Sequence, residues 1–506
     1  MSQIRLGWAS RDVTTDKPIP INGQAYIRIS EGIMDPITST ALVVDDGNDC
    51  VIFVSLDAGG IRYGLMDEIR EKVRSLHPEI PAEKILMNAT HSHTGASHNT
   101  LEGNLFRASD APEDRVPLSD SYEIASSDEY RDWLSSTIAE MIAEAWDGRA
   151  PGGIAYGYGY AVVAHSRRVC YFDDVSLRGG VDKTNTFAVN GHSVMYGNTN
   201  DDNFSHYEAG ADHFINLLFT FDGENRLTGA IVNVPCPSQN SEHEWRISAD
   251  YWHDVREAIR KKYGNIFILT QCAAAGDLSP RILHYKQAQE RRFRLKYGEG
   301  DGTERNARKD IAERIAVAFD EVYSWAKKDI RTEAKVSHRV TIMQIHRYMI
   351  TEEDRKAALE GLATARAKPF VSTGDPKADL IHNTKLVSNR RRFLNVLQRY
   401  EDQKKTDRIP TEIHVLRIGD IAFASNIFEL YMDYQHRIQA RSPFEQTFVV
   451  QLAGQSGNNG TYLPTERGYE GRGYSAIVYS MTASPEGGQE LVEETVRQLR
   501  ELHEEN

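Results

Sequence analysis

Mixed helix and strand signals predict a layered α/β domain, with mixed β-sheets flanked by helices. Three observations carry this expectation. Short apolar runs of strand type alternate with amphipathic stretches at helical spacing. Two pairs of runs are joined by tight turns, so the sheets contain hairpins and are not purely parallel. No Ser/Gly or Pro-rich linker and no internal repeat divides the 506 residues, so 1–506 reads as a single domain.

The elements follow in order. "CVIFVSL" (50–56) is a β-rich apolar run. The next stretch places Met66, Ile69, Val73 and Leu76 on one helix face, with Pro78 beyond its end. "KILMNAT" is the following strand. "SSDEYRDWLSSTIAEMIAEAWDG" has Ser127 as cap, a stripe of Tyr130, Leu134, Ile138, Met141 and Ala145, and Gly148 as stop signal. "YGYGYA" (156–161) alternates glycines but lacks the strand–helix setting of a phosphate loop, so it reads as strand or turn. "HFINLLFTFDGENRLTGAIVNV" forms two strands around Asp222-Gly223. "NIFILTQ" (265–271) is a buried strand. The polar stretches 287–310 and 350–410 carry helix-like patterning and belong on the outside. "TEIHVLRIGDIAFASN" is a second hairpin, turning at Gly419-Asp420, and a last helix starts near 487.

Composition narrows the partners. Hydrophobic residues make up 40% and charged residues 26%, an ordinary globular balance able to bury a large core. A net charge of −14 argues against nucleic acid or an anionic membrane as main partner. The N-terminal "MSQIRLGWASRDVTTDKP" has no apolar core of signal-peptide length, and no run reaches the roughly 18 residues of a membrane span. The expectation is a soluble, cytoplasmic protein without a transmembrane segment. Cys50, Cys170, Cys236 and Cys272 are too few and too scattered for a disulfide scaffold, which leaves thiols available for metal.

Four apolar runs end in chemistry-bearing residues. "ILM" leads into Asn88-Ala89-Thr90-His91-Ser92-His93, and "AIVNV" into Pro235-Cys236-Pro237-Ser238. "IFILTQ" leads into Cys272 and Gly276-Asp277-Leu278-Ser279-Pro280, and "IAFASN" into Ile427-Phe428-Glu429. Ligands of open α/β sheets bind beyond the carboxyl ends of strands, so these four ends can converge. In extended backbone, His91 and His93 face one side and Ser92 the other. Each feature alone has a plainer reading: paired loop histidines, an inert buried thiol at Cys236, a tight turn at 276–280, and a solvated acid at Glu429.

Taken together, these residues resemble the neutral ceramidase family, over most of the chain. "GWASRDVTTDKP" is similar to the family's Gly-x-Ala-x-x-Asp-Ile-Thr-Pro opening, and "NATHSHTGAS" to its Thr-His-Thr-His-Ser-Gly-Pro segment. The resemblance puts His91 on a zinc-ligand position and His93 on the position that assists at the reacting carbonyl. "AHSRR" puts Arg167 on the active-site arginine. "GDLSP" puts Ser279 on the active-site serine. "FELYMDY" puts Glu429 on a zinc ligand, and "TYLPTERGYEGRGYS" puts Tyr462 on a tyrosine ligand and Tyr474 on a catalytic tyrosine.

Two departures stand out. Counting back from "ISAD" (247–250) puts Cys236 where the family has its second histidine ligand. Thiolate is a good zinc ligand, at about 2.3 Å, though its charge weakens the metal as a Lewis acid. His243 and His253 are the alternatives. The chain also ends about 30 residues past Tyr474, without the family's C-terminal β-sandwich domain. The resemblance implies a Zn²⁺-dependent hydrolase of a linear amide, in which activated water attacks the carbonyl. Tyr474 and His93 would stabilise the oxyanion, His93 would protonate the leaving amine, and Arg167 and Ser279 would position substrate. Asp277 would fix its turn, and Asp57 would orient a ligand. The substrate is a small-molecule amide: ceramide (hence lipid metabolism), an N-acyl amino sugar or a similar soluble amide. The charged inserts at 98–130 and 173–212 are more polar than a lipid groove. The competing readings are a zinc-containing carbohydrate- or peptide-binding protein of the same fold, and a (β/α)₈ metallohydrolase, against which the hairpins speak. The oligomeric state is left open, a homo-oligomer included.

Overall fold

A computed structural model describes residues 2–62, 64–99, 105–118, 123–182, 185–454 and 461–505. Two β-sheets lie face to face, with helices on both outer faces. The larger sheet has eight strands: β1 (Arg5–Asp12), β2 (Thr38–Asp45), β3 (Cys50–Leu56), β4 (Ile85–Ala89), β5 (Ala150–Tyr160), β6 (Phe214–Asp222), β7 (Leu227–Val234) and β8 (Phe267–Cys272). Their spatial order is β8-β7-β6-β5-β1-β2-β3-β4. The smaller sheet contains β9 (Val336–His346), β10 (Arg408–Ile418), β11 (Ile421–Ser425) and β12 (Gln446–Val450), in that order.

The strand runs and both hairpin turns lie where the sequence patterning places them. The helices are α1 (Leu65–Leu76), α2 (Ser127–Asp147), α3 (Tyr251–Tyr263), α4 (Lys286–Tyr297), α5 (Thr303–Ala326), α6 (Glu352–Ala367), α7 (Pro376–Asp402), α8 (Met432–Arg441), α9 (Glu466–Gly471) and α10 (Pro485–Glu504). The cap of α2 is Ser126, one residue before the expected Ser127; its side chain accepts the Glu129 N–H.

The sequence shows no repeat, yet the backbone repeats three times. Each unit has three antiparallel strands, a helix, a fourth strand parallel to the third, and a closing helix. The first unit is β1-β2-β3-α1-β4-α2, with β1–β2 and β2–β3 antiparallel and β3–β4 parallel. The second is β5-β6-β7-α3-β8-α5 and shows the same pattern. The third is β9-β10-β11-α8-β12-α10 and shows it again. The first two units join edge to edge through β1 and β5.

Period-two alternation divides the core accordingly. Val43, Ile52, Val54 and Met87 face α1 and α2, together with Ile69, Leu134 and Ile138. Val44, Phe53, Leu86, Leu218 and Ile231 face the smaller sheet and meet Leu416, Phe423 and Phe448. Phe53 and Phe423 approach to 4.8 Å between ring centroids across this seam.

This topology positions the site. Within each unit, the end of the first strand and the ends of the third and fourth all lie at one edge. Three long connections, 13–37, 161–213 and 347–407, therefore leave from that edge, one per unit. No helix among the described residues is long and apolar enough to cross a membrane.

Candidate functional site

A cavity of about 310 Å³ opens at this edge, lined by residues from all three units. His91 and His93 follow β4. The strand does not continue through them: it ends at Ala89, and His91 takes the left-handed conformation, φ 62°. A non-glycine residue there is strained and persists only when its surroundings fix it. They do so here. Thr90 and Ser92 donate backbone hydrogen bonds to Leu56 and Ala58, and the His91 ring bonds through Nδ1 to the Gly59 carbonyl at 2.7 Å. Both rings still meet, at 4.8 Å and 76°, while Ser92 turns away onto the Ser248 carbonyl. The expected convergence is present, made by a kink rather than by extended alternation.

With Nδ1–H given to Gly59, the His91 Nε2 lone pair faces inward. It lies 3.3 Å from Glu429 Oε2 and 3.3 Å from His93 Nε2. Glu429 follows β11 and pairs in parallel register with Tyr462. The Glu429 carboxyl is buried, which opposes its charge. His91, Arg167 and a hydrogen bond from Tyr462 nonetheless hold it down to about 2. Arg167 donates to the Tyr462 hydroxyl at 3.3 Å and to the Gly276 carbonyl at 2.8 Å, and stands 3.9 Å from Glu429.

His93 is oriented from behind. Its Nδ1 is 3.1 Å from Glu242 Oε2, and Glu242 is paired in turn with Arg281. Its Nε2 meets the Gln239 amide nitrogen at 3.1 Å. Burial lowers the His93 pKa to about 4 despite Glu242, so the ring is neutral at pH 7 with Nε2 as its basic atom. Gly23, at φ 103°, passes so close that a Cβ there would sit 2.4 Å from the Cα and Cβ of His93 and 2.5 Å from its ring Cγ. Glycine is required at that approach.

Comparison with solved structures gives the architecture a context. The fold is that of the neutral ceramidases. The neutral ceramidase from Pseudomonas aeruginosa superimposes with a TM-score of 0.65 over 99% of this chain and 75% of its own, at 17% identity. A ceramidase structure described as complexed with C2 gives 0.63, over 100% of this chain and 76% of its own, at 15% identity. No family model and no curated protein sequence matches the chain.

Within this neutral-ceramidase fold, His91, His93, Glu429, Tyr462 and Arg167 come together as the sequence suggests. Tyr474 lines the same cavity, its ring 5.5 Å from that of Tyr462. Arg168 anchors it by donating to the Tyr474 carbonyl while paired with buried Glu208.

Cys236 is not brought into this group. Its thiol donates to the Val163 carbonyl at 3.4 Å and sits in the apolar core under α3 and α5; burial pushes its pKa well up. The reason is alternation. Val232, Val234 and Cys236 continue one face of β7, the helix-packed face. His243 is mostly exposed, and neither it nor His253 lines the cavity. Ser279 is buried one strand away, its hydroxyl accepting the Arg281 N–H at 3.2 Å, and does not line the cavity either.

Asp277 braces the site instead of reacting: it accepts the Met432 N–H at 3.0 Å and so fixes the segment after Glu429. Asp57 orients no ligand; it forms a buried pair with Arg256, at 2.7 and 3.1 Å. Gln239, Glu242 and Tyr196 escape sequence reading, since no motif distinguishes a glutamine in "PSQNSE" from any loop residue. Tyr196, itself left-handed, hydrogen-bonds Gln239 and Arg167.

The donor set tests directly for a metal. His91 Nε2 faces a carboxylate oxygen and a second imidazole nitrogen, with Tyr462 oxygen beside them. Two acceptors, the Glu429 carboxylate and His93 Nε2, face that lone pair, and a cation held beside them relieves the repulsion. Ligand atoms of a single tetrahedral zinc stand roughly 3.3 Å apart, from bonds of about 2.0 Å. His91 Nε2 and Glu429 Oε2 stand at that separation. The residues fit. The other cluster of metal-type groups among the described residues, His77–Glu79–Asp147, lies at the surface near the far ends of α1 and α2.

Proposed function

We propose that this chain is a zinc-dependent hydrolase of linear amides, acting on a soluble amide in preference to ceramide. The observation that supports it most is the meeting of His91, Glu429 and Tyr462, from two different units, around one point faced by a neutral His93. His91, Glu429 and Tyr462 would hold the ion, in a set without Cys236, and would leave its fourth position open beside His93 Nε2. When bound, zinc supplies Lewis acidity, which polarises a carbonyl and makes water nucleophilic near neutral pH.

The chain's own groups supply the rest. His93 Nε2 accepts a proton from the attacking water and returns it to the departing amine. Glu242, held by Arg281, keeps His93 Nδ1 protonated, which fixes Nε2 as the reacting nitrogen. Tyr474, at the cavity wall, donates to the developing oxyanion, an effect worth about 3–4 kcal/mol per donor. Arg167 holds the Tyr462 hydroxyl and Glu429 in place and stays behind them.

The test combines metal analysis with turnover. Purified protein should carry about one zinc per chain and release amine from N-acyl amides; His91→Ala should lose both. Full activity in metal-stripped protein would defeat the proposal.

A further inference from the structure

The lining of this cavity is rich in arginine, in a chain of net charge −14. Arg62 follows β3 in the first unit, and Arg391 and Arg392 lie on α7, in the connection of the third unit. All three line the cavity, where Glu429 is the one acidic side chain among the lining residues. Arg391 donates to the Arg107 carbonyl. Arg392 is held in place: it donates to Ser480 Oγ at 2.9 Å, and its guanidinium sits 4.1 Å from the Phe187 ring centroid and 5.3 Å from that of Tyr474. Among the described residues, neither Arg62 nor Arg392 forms an ion pair with a carboxylate. The buried Nε of Arg392 has no hydrogen-bond partner there either.

A guanidinium costs free energy to bury unless anions or carbonyls take up its donors, and fully buried Arg28 donates to the carbonyls of Glu244, Asn22 and His93. Of the buried arginines, Arg168 has Glu208, Arg256 has Asp57 and Arg308 has Asp35 and Asp254. Arg392 instead has two aromatic faces and no carboxylate, at the wall of the cavity that holds the reacting groups. The stacked rings fix its plane, which prepares it for a planar, charged partner. Asn22, Gln24 and Asn395 add neutral donors around it, and Ile27 and Leu105 supply one apolar wall.

From this arrangement we infer that the substrate is an anionic amide, carrying a carboxylate or sulfonate that seats against Arg392 and Arg62 a few bonds from the scissile carbonyl. The inference rests on the hydrolase reading and deepens it. Two long uncharged lipid chains would leave both arginines desolvated and unpaired in a cavity of 310 Å³, near the lower end for small-molecule sites.

The experiment uses two matched pairs on the full-length, zinc-loaded protein. N-hexanoyl-taurine is compared with N-hexanoyl-ethanolamine, and N-butylsuccinamate with N-butylpentanamide, so that the charge lies once on the amine arm and once on the acyl arm. At least one anionic member should show a kcat/KM roughly 10–100-fold above its neutral mate. Arg392→Met should remove that preference through KM, and Arg392→Lys should restore part of it. Arg62→Met serves as the second variant if Arg392→Met does not fold. Equal or better turnover of both neutral members would overturn the anionic subsite and leave the hydrolase reading standing. If no compound is turned over, the hydrolase reading fails, and calorimetry on metal-stripped protein decides the subsite: tighter binding of an anionic member, lost in Arg392→Met, supports it, and its absence overturns it.

Discussion

Glu429 and Tyr462 are register partners in a two-residue parallel ladder, Glu429–Leu430 against Tyr462–Leu463. Paired residues of adjacent strands project to the same side. Two oxygen donors far apart in the chain thus leave one small sheet toward His91. Gly276 presses on this ladder from behind: a Cβ there would lie 2.4 Å from the Glu429 carbonyl oxygen. Gly276→Ala is expected to displace Glu429 and to lower zinc occupancy measured by atomic emission, with the far-ultraviolet dichroism retained. Undiminished zinc in a folded Gly276→Ala protein would show that the ladder does not govern the metal.

Cys236 supplies the opposite expectation. Its thiol belongs to the core, so Cys236→Ser should keep its zinc and lose stability, by roughly 1–3 kcal/mol for a hydroxyl placed among apolar groups. Denaturant melts and metal analysis on one preparation check both halves. Loss of zinc with stability unchanged would put the thiol back among the ligands.

Gly23 is a test of geometry without chemistry. Gly23→Ala adds one methyl against the His93 ring and touches no donor. A displacement of about 1 Å at a reacting group costs on the order of 10²-fold in rate. kcat should fall by that order while zinc content stays near wild type. A kcat within twofold of wild type would mean that His93 takes no part in the chemistry.

Acid should destabilise the protein early. Burial, with Arg131 and Arg62 nearby, lowers His98 to about 3; burial, with His213, Arg314 and His284, lowers His165 to about 4. In the unfolded chain both titrate near 6.5. Their folded pKa values are depressed, so the stabilisation they give is complete above about pH 6.5 and declines as pH falls toward 3–4. Each contributes up to about 1.4 kcal/mol per pH unit over that window. Urea midpoints at pH 7.5, 5.5 and 4.5 should show this slope, and His98→Gln should make it shallower. An identical slope in the variant would rule His98 out as a source.

The buried Asp57–Arg256 pair should matter for folding and not for chemistry. Asp57→Ala strands a guanidinium that is 5% exposed, at a cost of roughly 3–5 kcal/mol. The folded fraction that remains should hydrolyse amides with the wild-type KM. A large shift in KM would return Asp57 to the site.

Much of this was readable from residues alone, for identifiable reasons. The strand runs are dense in β-branched and aromatic residues, and the hairpin turns carry Asp-Gly and Gly-Asp, so "CVIFVSL" and both hairpins declare themselves. His91, His93 and Glu429 each follow the end of an apolar run, which is where ligands collect, whereas Tyr462, after the polar stretch 455–461, is reached only through the family resemblance. Cys236 misled because counting along the chain fixes a position and not a direction. The alternation from Val232 through Val234 already aims the thiol at the helices. The threefold repetition is hidden because apolar pattern, not residue identity, defines each unit. Arg392 sits on an outer helix whose polarity looks like ordinary solvation; only the path of the 347–407 connection carries it over the cavity.

That repetition has a mechanical consequence. His91 hangs from the first module, Arg167 and Gln239 from the second, Glu429 and Tyr462 from the third. A cation gripped by first and third would act as a rivet through the seam between the two sheets. Its grip would be felt far from the cavity, as slower amide exchange along Phe53, Leu86, Phe423 and Phe448, in proportion to the logarithm of free metal.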